Sequence, residues 1–266
     1  EPGDNATTSM VAAGKADFGV SYQEDVTYAL TSEDPLPIKT IATIIQHNTS
    51  GFVSLKSANI NSVKDFEGKT YAGWGAPSEE AVIKAVMNEA GADFSKLNIV
   101  GSDGSGIAGL SDEVGKNKVN LGWEFYGWAI IKAMQDGYDL NYMPLADLDS
   151  RLDYYTPVII TNNKMIKKNS DTIQKFMEAT KKGYEYAIDH PSKAAEILHD
   201  DALTDTDLKF LKESQKYLSS QYAKDADTWG VMKDSVWDNY TDFMYETGLI
   251  DHKIDAKDQY TNEFVK

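Results

Sequence analysis

Short apolar runs alternate with helix-like segments through the first part of this chain. Turn residues bound the β-branched runs 37–46 and 156–161, which predicts strands. A helix is predicted at 77–90, where Pro77 suits the first turn and Gly91 suits the stop. Strands that alternate with helices form parallel sheets with βαβ crossovers. The alternation therefore predicts an α/β fold.

From Asn163 to about Leu249 the pattern becomes almost wholly helical. Apolar residues recur every three or four positions there, as at Ile173, Phe176 and Met177. The order of elements predicts two mainly parallel sheets flanked by helices, followed by a helical C-terminal tail. The predicted helices of the tail cover 170–189, 191–198, 205–222 and 235–245.

Charge and cysteine content exclude several classes of function. The chain carries 42 acidic and 26 basic residues, a formal net charge of −16. Phosphate binding needs clustered Lys and Arg, so neither nucleic acid nor an anionic membrane surface is an expected partner. The chain has no cysteine, which excludes disulfides, thiolate catalysis, iron–sulfur clusters and Cys-based zinc sites. No apolar run approaches the ~20 residues of a membrane-spanning helix.

Two glycine-rich segments resemble nucleotide-binding motifs. Residues 104–109 match GxGxxG between a predicted strand and a helix predicted at 107–115. The unit lies in the middle of the chain, which argues against a dinucleotide site. A tight turn whose backbone N–H groups bind a polar ligand group is the stronger alternative. Gly68-Lys69-Thr70 resembles the end of a P-loop, but a strand follows where a helix should. No cofactor is therefore predicted.

The four histidines are not spaced as metal ligands. None lies in HExxH, and no GxSxG is present to mark a hydrolase nucleophile. His47 differs from the others because it follows a strong predicted strand, where residues of a cleft gather. It is expected either to contact a ligand or to fill a structural role. The sequence predicts no metal site and no catalytic residue.

Aromatic residues occur with carboxylates or amides at the ends of four predicted strands. Ligands of parallel α/β sheets bind beyond the carboxyl ends of the strands. Aromatic faces stack on a flat ring and Glu or Gln side chains bond its edge, so the pattern suits a planar, nitrogen-rich heterocycle. Alternatively, the aromatics belong to the core and the acids start helices. The segments are SYQED at 21–25, GWGAPSE at 73–79, GWEFYG at 122–127 and DYYTP at 153–157.

Longer stretches around these segments resemble the family of proteins that bind thiamine pyrimidine precursors. Members of that family are the binding components of ABC importers for hydroxymethylpyrimidine or its formylamino relatives. The resemblance runs over essentially the whole chain, and YQED and DYYTPV are its more specific strings. It rests on YQEDVTYA at 22–29, GWGAPSEEAVIKAVM at 73–87, GWE at 122–124 and DYYTPVIIT at 153–161.

The resemblance implies a type II periplasmic-binding-protein fold, in which two crossing strands join two α/β lobes that hold the ligand. The first lobe is expected at 1–56 plus 156–266, and the second at 57–155. Relatives carry a strand, a helix and a second strand ahead of the segment that matches Glu1. That N-terminal part of the first lobe is therefore expected to be missing.

The same resemblance implies the site residues. Glu124 is expected to anchor the pyrimidine amine, and Tyr22 with Trp74 or Trp123 to stack on the ring. The expected ligand contacts, with His47 added from its position after a strand, are Tyr22, Gln23, Glu24, His47, Trp74, Ser78, Trp123, Glu124 and Tyr155.

The family also implies an ABC permease and its ATPase as partners. The expected location is extracytoplasmic, either periplasmic or membrane-associated through the permease or a lipid anchor upstream of Glu1. Two alternatives stay open. One is a binding protein for another flat heterocycle, such as a flavin precursor. The other is an enzyme of the same superfamily that makes the pyrimidine from pyridoxal phosphate and its own histidine. His47 is the plausible donor, but the Cys-rich motif of that branch is absent.

Overall fold

The computed structural model describes residues 6–110 and 119–266. Within these ranges the chain divides into two compact units. The first unit contains the described residues up to Asn48 and those from Asp153 onward. The second unit contains those from Thr49 to Leu152.

The described residues form strands of four to six residues, most of them rich in β-branched or aromatic side chains. They are β1 Phe18–Ser21, β2 Ile38–Thr43, β3 Ser50–Leu55, β4 Thr70–Gly73, β5 Asn98–Gly101, β6 Leu121–Phe125, β7 Leu140–Pro144 and β8 Val158–Asn162.

The helices of the described residues are concentrated after β8. They are α1 Ala6–Ala12, α2 Gln23–Thr31, α3 Pro77–Glu89, α4 Ile131–Gln135, α5 Leu145–Leu148, α6 Asn163–Lys168, α7 Ser170–Asp189, α8 Pro191–Asp201, α9 Leu208–Ser219, α10 Asp234–Glu246 and α11 Ala256–Gln259.

The first unit contains a three-stranded sheet in the order β1-β8-β2. Strand β8 runs antiparallel to both neighbours. β1 and β2 are therefore parallel to each other, as the two strands of a βαβ unit through α2, and β8 lies between them. The predicted mainly parallel pairing is wrong for this sheet. Alternation along the chain reveals the local order β1-α2-β2, but not a distant strand inserted into it.

The second unit contains a five-stranded sheet in the order β5-β4-β6-β3-β7. β4 pairs in parallel with β5 and β6. β3 runs antiparallel to β6 and β7. The pairing is thus mixed across the two sheets, whereas the predicted α/β class, with two sheets and flanking helices, is confirmed.

The predicted helical tail is also confirmed, because helices α6 to α10 follow β8 with no strand between them. Side-chain caps mark two of the helix starts. Asn162 accepts a hydrogen bond from the N–H of Met165 at 2.9 Å, and Asp207 accepts one from the N–H of Phe210 at 2.7 Å. Each cap satisfies a donor that the first turn of a helix leaves without an internal partner.

Aromatic side chains dominate the core of the first unit. Tyr155 and Trp237 are buried with Val158 of β8. Trp229 is buried in a second cluster, and its indole N–H donates to the carbonyl of Ile44 at 3.1 Å. Burying a large apolar side chain stabilises a fold by about 1.5–3 kcal/mol. These clusters therefore hold β8 and the end of β2 in place.

Two segments of the second unit depart from a regular α-helix. Of the helix predicted at 107–115, the described part forms one 3₁₀ turn, Gly106–Gly109, and residues from 111 lie outside the described range. A π-helical turn, Tyr126–Ile130, precedes α4. Single π turns inside helices are frequent at functional sites.

Candidate functional site

The parallel strands β4, β5 and β6 end at one edge of the second sheet, called here the second edge. Gly73 pairs with Gly101 at the end of β4 and β5, and Ala72 pairs with Gly122 of β6. Trp74 directly follows β4, and Glu124 lies near the end of β6. The fold thus brings residues from separate segments to the kind of edge where α/β sheets bind ligands.

Two tryptophans on the second edge contact each other. The rings of Trp74 and Trp123 meet edge to face, with centroids 5.1 Å apart and planes at 60°. Trp123 also packs against Phe52 of β3, with centroids 5.7 Å apart. Trp74 is 58% exposed. A large exposed ring braced by a second ring offers a surface on which a planar ligand can stack.

Glu124 carries a half-buried carboxylate near the end of β6. Among the described residues no donor or cation is bonded to it. Burial raises the pKa of Glu124, because the charged form loses hydration and gains no partner. Side chains alternate along a strand, so Glu124 points to the opposite face of the sheet from Trp123. The two residues share the second edge but not one face.

The glycine-rich turn after β5 lies beside Glu124. A side-chain carbon added at Gly106 would sit 3.8 Å from Oε1 of Glu124. Gly104 and Gly106 have φ angles of +81° and +55°, in the left-handed region that favours glycine. The turn therefore approaches the carboxylate with backbone alone and leaves space beside it.

Ser78 and Glu79 are buried in the first turn of α3. The carboxylate of Glu79 accepts hydrogen bonds from the N–H groups of Gly75 at 2.8 Å and Trp74 at 3.2 Å. The hydroxyl of Tyr71 donates to the same carboxylate. Ser78 is among the predicted ligand contacts, whereas Glu79 is the acid of the segment 73–79, for which a helix start is the alternative prediction. The available signal is a Glu at the third position of a helix, from which a side chain can reach back to preceding N–H groups.

The ends of β1 and β2 and the start of β8 share one edge of the first sheet, called here the first edge. Ser21 and Thr43 both pair with Val158 there. Tyr22 follows β1 and is 47% exposed. Glu24 lies in the first turn of α2 and accepts a hydrogen bond from the hydroxyl of Tyr240 at 3.3 Å. Aromatic and acidic side chains therefore gather at this edge too.

Gln23 and Tyr155 lie at the first edge but are buried and bonded to protein groups. The N–H of Tyr155 donates to Oε1 of Gln23 at 2.8 Å, and Nε2 of Gln23 donates to the carbonyl of Val236 at 3.2 Å. The hydroxyl of Tyr155 accepts a hydrogen bond from the N–H of Lys233 at 2.9 Å. These contacts tie the segment before β8 to α2 and α10.

His47 follows β2 and is held by two carboxylates. Nδ1 lies 2.6 Å from Oδ2 of Asp153, and Nε2 lies 3.3 Å from Oδ2 of Asp225. The N–H of Asn48 also donates to Asp153 at 2.9 Å. The hydrogen bond with Asp153 raises the pKa of His47, although partial burial opposes the shift. An imidazolium that donates from both nitrogens fits these two partners.

In the described part of the chain, no group of three or more acidic or histidine side chains is arranged to hold a metal ion. No helix within residues 6–110 and 119–266 combines the length and the apolar character that crossing a membrane demands.

Comparison with solved structures defines the class of fold as that of the periplasmic substrate-binding proteins. The periplasmic aliphatic sulphonate-binding protein SsuA from Escherichia coli matches with a TM-score of 0.70 at 12% identity. The match covers 94% of this chain and 77% of that protein.

The chain is similar in sequence to three curated proteins whose names describe different functions. The formylaminopyrimidine-binding protein of Halalkalibacterium halodurans is 25% identical over 193 residues, 71% of this chain and 56% of that protein. The riboflavin-binding protein RibY of Chloroflexus aurantiacus is 24% identical over 255 residues, 89% of this chain and 67% of that protein. A 4-amino-5-hydroxymethyl-2-methylpyrimidine phosphate synthase of Legionella pneumophila is 22% identical over 276 residues, 100% of this chain and 81% of that protein.

The family follows from the sequence itself. Residues 1–194 match the NMT1/THI5-like family, and the chain belongs to that family. The resemblance found in the sequence is therefore confirmed at the level of the family.

Proposed function

We propose that this protein is the substrate-binding component of an ABC importer and captures a thiamine pyrimidine precursor without altering it. The observation that carries the proposal is the half-buried Glu124 carboxylate at the second edge, which lacks a bonded donor among the described residues. A buried acceptor without a donor costs free energy unless a ligand supplies one.

An aminopyrimidine has the complementary chemistry. Its exocyclic amine donates a hydrogen bond in the plane of the ring, and a neighbouring ring nitrogen accepts one. A carboxyl group whose pKa is raised can accept from the amine and share a proton with the ring nitrogen. The exposed ring of Trp74, braced by Trp123, would stack on the flat face of the same ligand.

The roles of the remaining predicted residues are part of the proposal. Tyr22, Glu24 and His47 of the first unit would contact the same ligand, as the family resemblance implies. The two compact units would serve as the two lobes. Their division after Asn48 and after Leu152 differs from the predicted bounds, 1–56 plus 156–266 and 57–155. Gln23, Ser78 and Tyr155 would support the contacts from buried positions.

The proposed cellular setting is that of an importer. The protein would act outside the cytoplasm, either in the periplasm or tethered by a lipid anchor upstream of Glu1, and deliver its ligand to a permease and an ATPase. The sequence similarity to the formylaminopyrimidine-binding protein supports the ligand class.

Calorimetric titration with 4-amino-5-hydroxymethyl-2-methylpyrimidine tests the ligand. We expect Glu124→Gln to weaken binding by about 1–3 kcal/mol, because a charge-assisted hydrogen bond to a buried acceptor is lost. Glu80→Gln is the matched control, since Glu80 is exposed on α3. Equal affinities of wild type and Glu124→Gln would remove Glu124 from the site.

A flavin-type ligand is the second candidate, supported by the similarity to the riboflavin-binding protein over most of this chain. Titration with riboflavin separates the two candidates. Tight binding of riboflavin with no binding of the pyrimidine would replace the proposed ligand. Mass spectrometry of the released ligand tests the absence of chemistry, because an importer component returns its ligand with unchanged mass.

A further inference from the structure

The turn between β4 and α3 presents Trp74, and one buried side chain holds this turn. Glu79 is 2% exposed, and its carboxylate accepts from the N–H groups of Trp74 and Gly75 and from the hydroxyl of Tyr71. Burial and the bond to Glu79 raise the pKa of Tyr71, so this hydroxyl stays a donor. With its oxygens engaged by protein donors, Glu79 is suited to support rather than to ligand contact.

The surrounding sequence is adapted to this carboxylate. A Cβ at Gly73 would overlap the carboxylate of Glu79 and the ring of Tyr71, so this position has room only for glycine. Gly75 has a φ angle of +83°, which only glycine adopts without strain. Ala76 is the N-cap of α3 and provides no side-chain cap. The carboxylate of Glu79 instead bonds the helix start to the two N–H groups of the preceding turn.

The turn also fixes the position of the tryptophan pair. The N–H that Glu79 binds belongs to Trp74, whose exposed ring meets Trp123 at 60°. Trp123, the other member of the pair, is held by Phe52, which packs against both Trp123 and Tyr71. An exposed tryptophan has few side-chain contacts of its own, so the conformation of its backbone decides where its ring lies.

We propose that Glu79 is a positioning residue that holds Trp74 against Trp123 in the orientation that receives the ligand. It acts through the backbone of the turn and does not touch the ligand. The expected effect on affinity rests on the proposed binding function, whereas the expected effect on the tryptophan pair does not.

The exciton couplet of the tryptophan pair in the circular dichroism of the ligand-free protein is the direct readout. Trp74→Phe identifies the couplet by abolishing it. We expect Glu79→Gln to reduce its amplitude at least twofold, because an amide cannot accept from all three donors. Glu80→Gln, one position along the same helix, should leave it unchanged. Affinity for 4-amino-5-hydroxymethyl-2-methylpyrimidine should fall about tenfold in Glu79→Gln, as expected for a weakened stacking partner.

A rescue variant separates positioning from stability. Ala76→Asp supplies an ordinary N-cap and should restore stability lost by Glu79→Gln, since its carboxylate can accept from N–H groups of the first helical turn. In the double variant we expect normal thermal stability but a reduced couplet and weak binding. If the double variant regained both its stability and the full couplet, the proposal would be overturned. An undiminished couplet in a folded Glu79→Gln protein would overturn it as well.

A third variant covers the case in which Glu79→Gln does not fold. Gly73→Ala retains the side chain of Glu79 but pushes its carboxylate away from the turn. This variant should therefore also lose the couplet. A folded Gly73→Ala protein with a full couplet would argue against the proposal. Loss of the couplet in a protein that binds no pyrimidine would uphold the role of Glu79 and refute only the proposed ligand.

Discussion

The first and second edges carry similar residues but use them differently. At the second edge Trp74 is largely exposed and Glu124 lacks a bonded donor among the described residues. At the first edge Gln23 and Tyr155 are buried and bonded to each other. An aromatic residue beside an acid or amide at a strand end can therefore be a ligand surface or an internal brace, and burial with a bonded partner distinguishes the two.

The largest contrast should appear when an aromatic ring is removed from each edge. Tyr155→Ala should lower the free energy of unfolding by about 3–5 kcal/mol, because it leaves a cavity in the core. Trp74→Ala should change it by about 0.5 kcal/mol or less, since the ring is mostly exposed. Urea unfolding measures both. Similar losses in the two variants would erase the distinction between the edges.

The second-largest loss of stability should follow from removal of the Gln23 amide. Gln23→Ala leaves the buried N–H of Tyr155 without its partner, at a cost of about 1–3 kcal/mol, and also removes the bond to the carbonyl of Val236. The matched control is Gln174→Ala on α7, where the side chain is half-exposed and bonds only to Glu178. We expect this control to unfold at the wild-type urea concentration. A Gln23→Ala protein of unaltered stability would mean that the brace is not needed.

Glu124→Gln should stabilise the folded protein, whereas the preceding substitutions at the first edge should destabilise it. The raised pKa means that the folded state disfavours the charged carboxylate, so this cost is absent below the usual pKa of 4.5 and grows as the pH rises through the raised pKa. Glu124→Gln removes the cost. Its ligand-free melting temperature should exceed that of wild type at pH 7, and the difference should vanish near pH 4. A lower melting temperature at pH 7 would contradict an unpaired carboxylate.

The smallest effect concerns His47 at the first edge. Its pKa is raised, so the stabilisation by Asp153 and Asp225 is complete below the usual pKa of 6.5 and is lost as the pH rises through the raised pKa. The pair is one-third exposed, so the effect should be below about 1 kcal/mol. Thermal unfolding of wild type and His47→Gln between pH 6 and 9 measures it. The wild-type advantage should shrink with rising pH, and an advantage that grows instead would exclude a protonated His47.

Much of the architecture could be predicted from local patterns. The bounds predicted for α7, 170–189, are those observed, because its apolar spacing and its start and stop residues are all local. The strand at 156–161 could be predicted and is β8, but its insertion between β1 and β2 could not, since it pairs with β1 across more than a hundred residues of sequence. Local periodicity shows that a strand is buried but does not identify its neighbour.

The sequence by itself determined the α/β class, the family and the gathering of aromatic and acidic residues at strand ends. Only the tertiary structure decided which of these residues are engaged. The partners of Gln23 lie in segments distant in the chain. The burial of Glu124, and its lack of a bonded donor among the described residues, likewise depend on how distant segments pack. The support that Glu79 gives to Trp74 arises in the same way, from a turn that folds back onto a helix start. Hydrogen bonding and burial are properties of the folded arrangement, so residue type and spacing alone could not assign these roles.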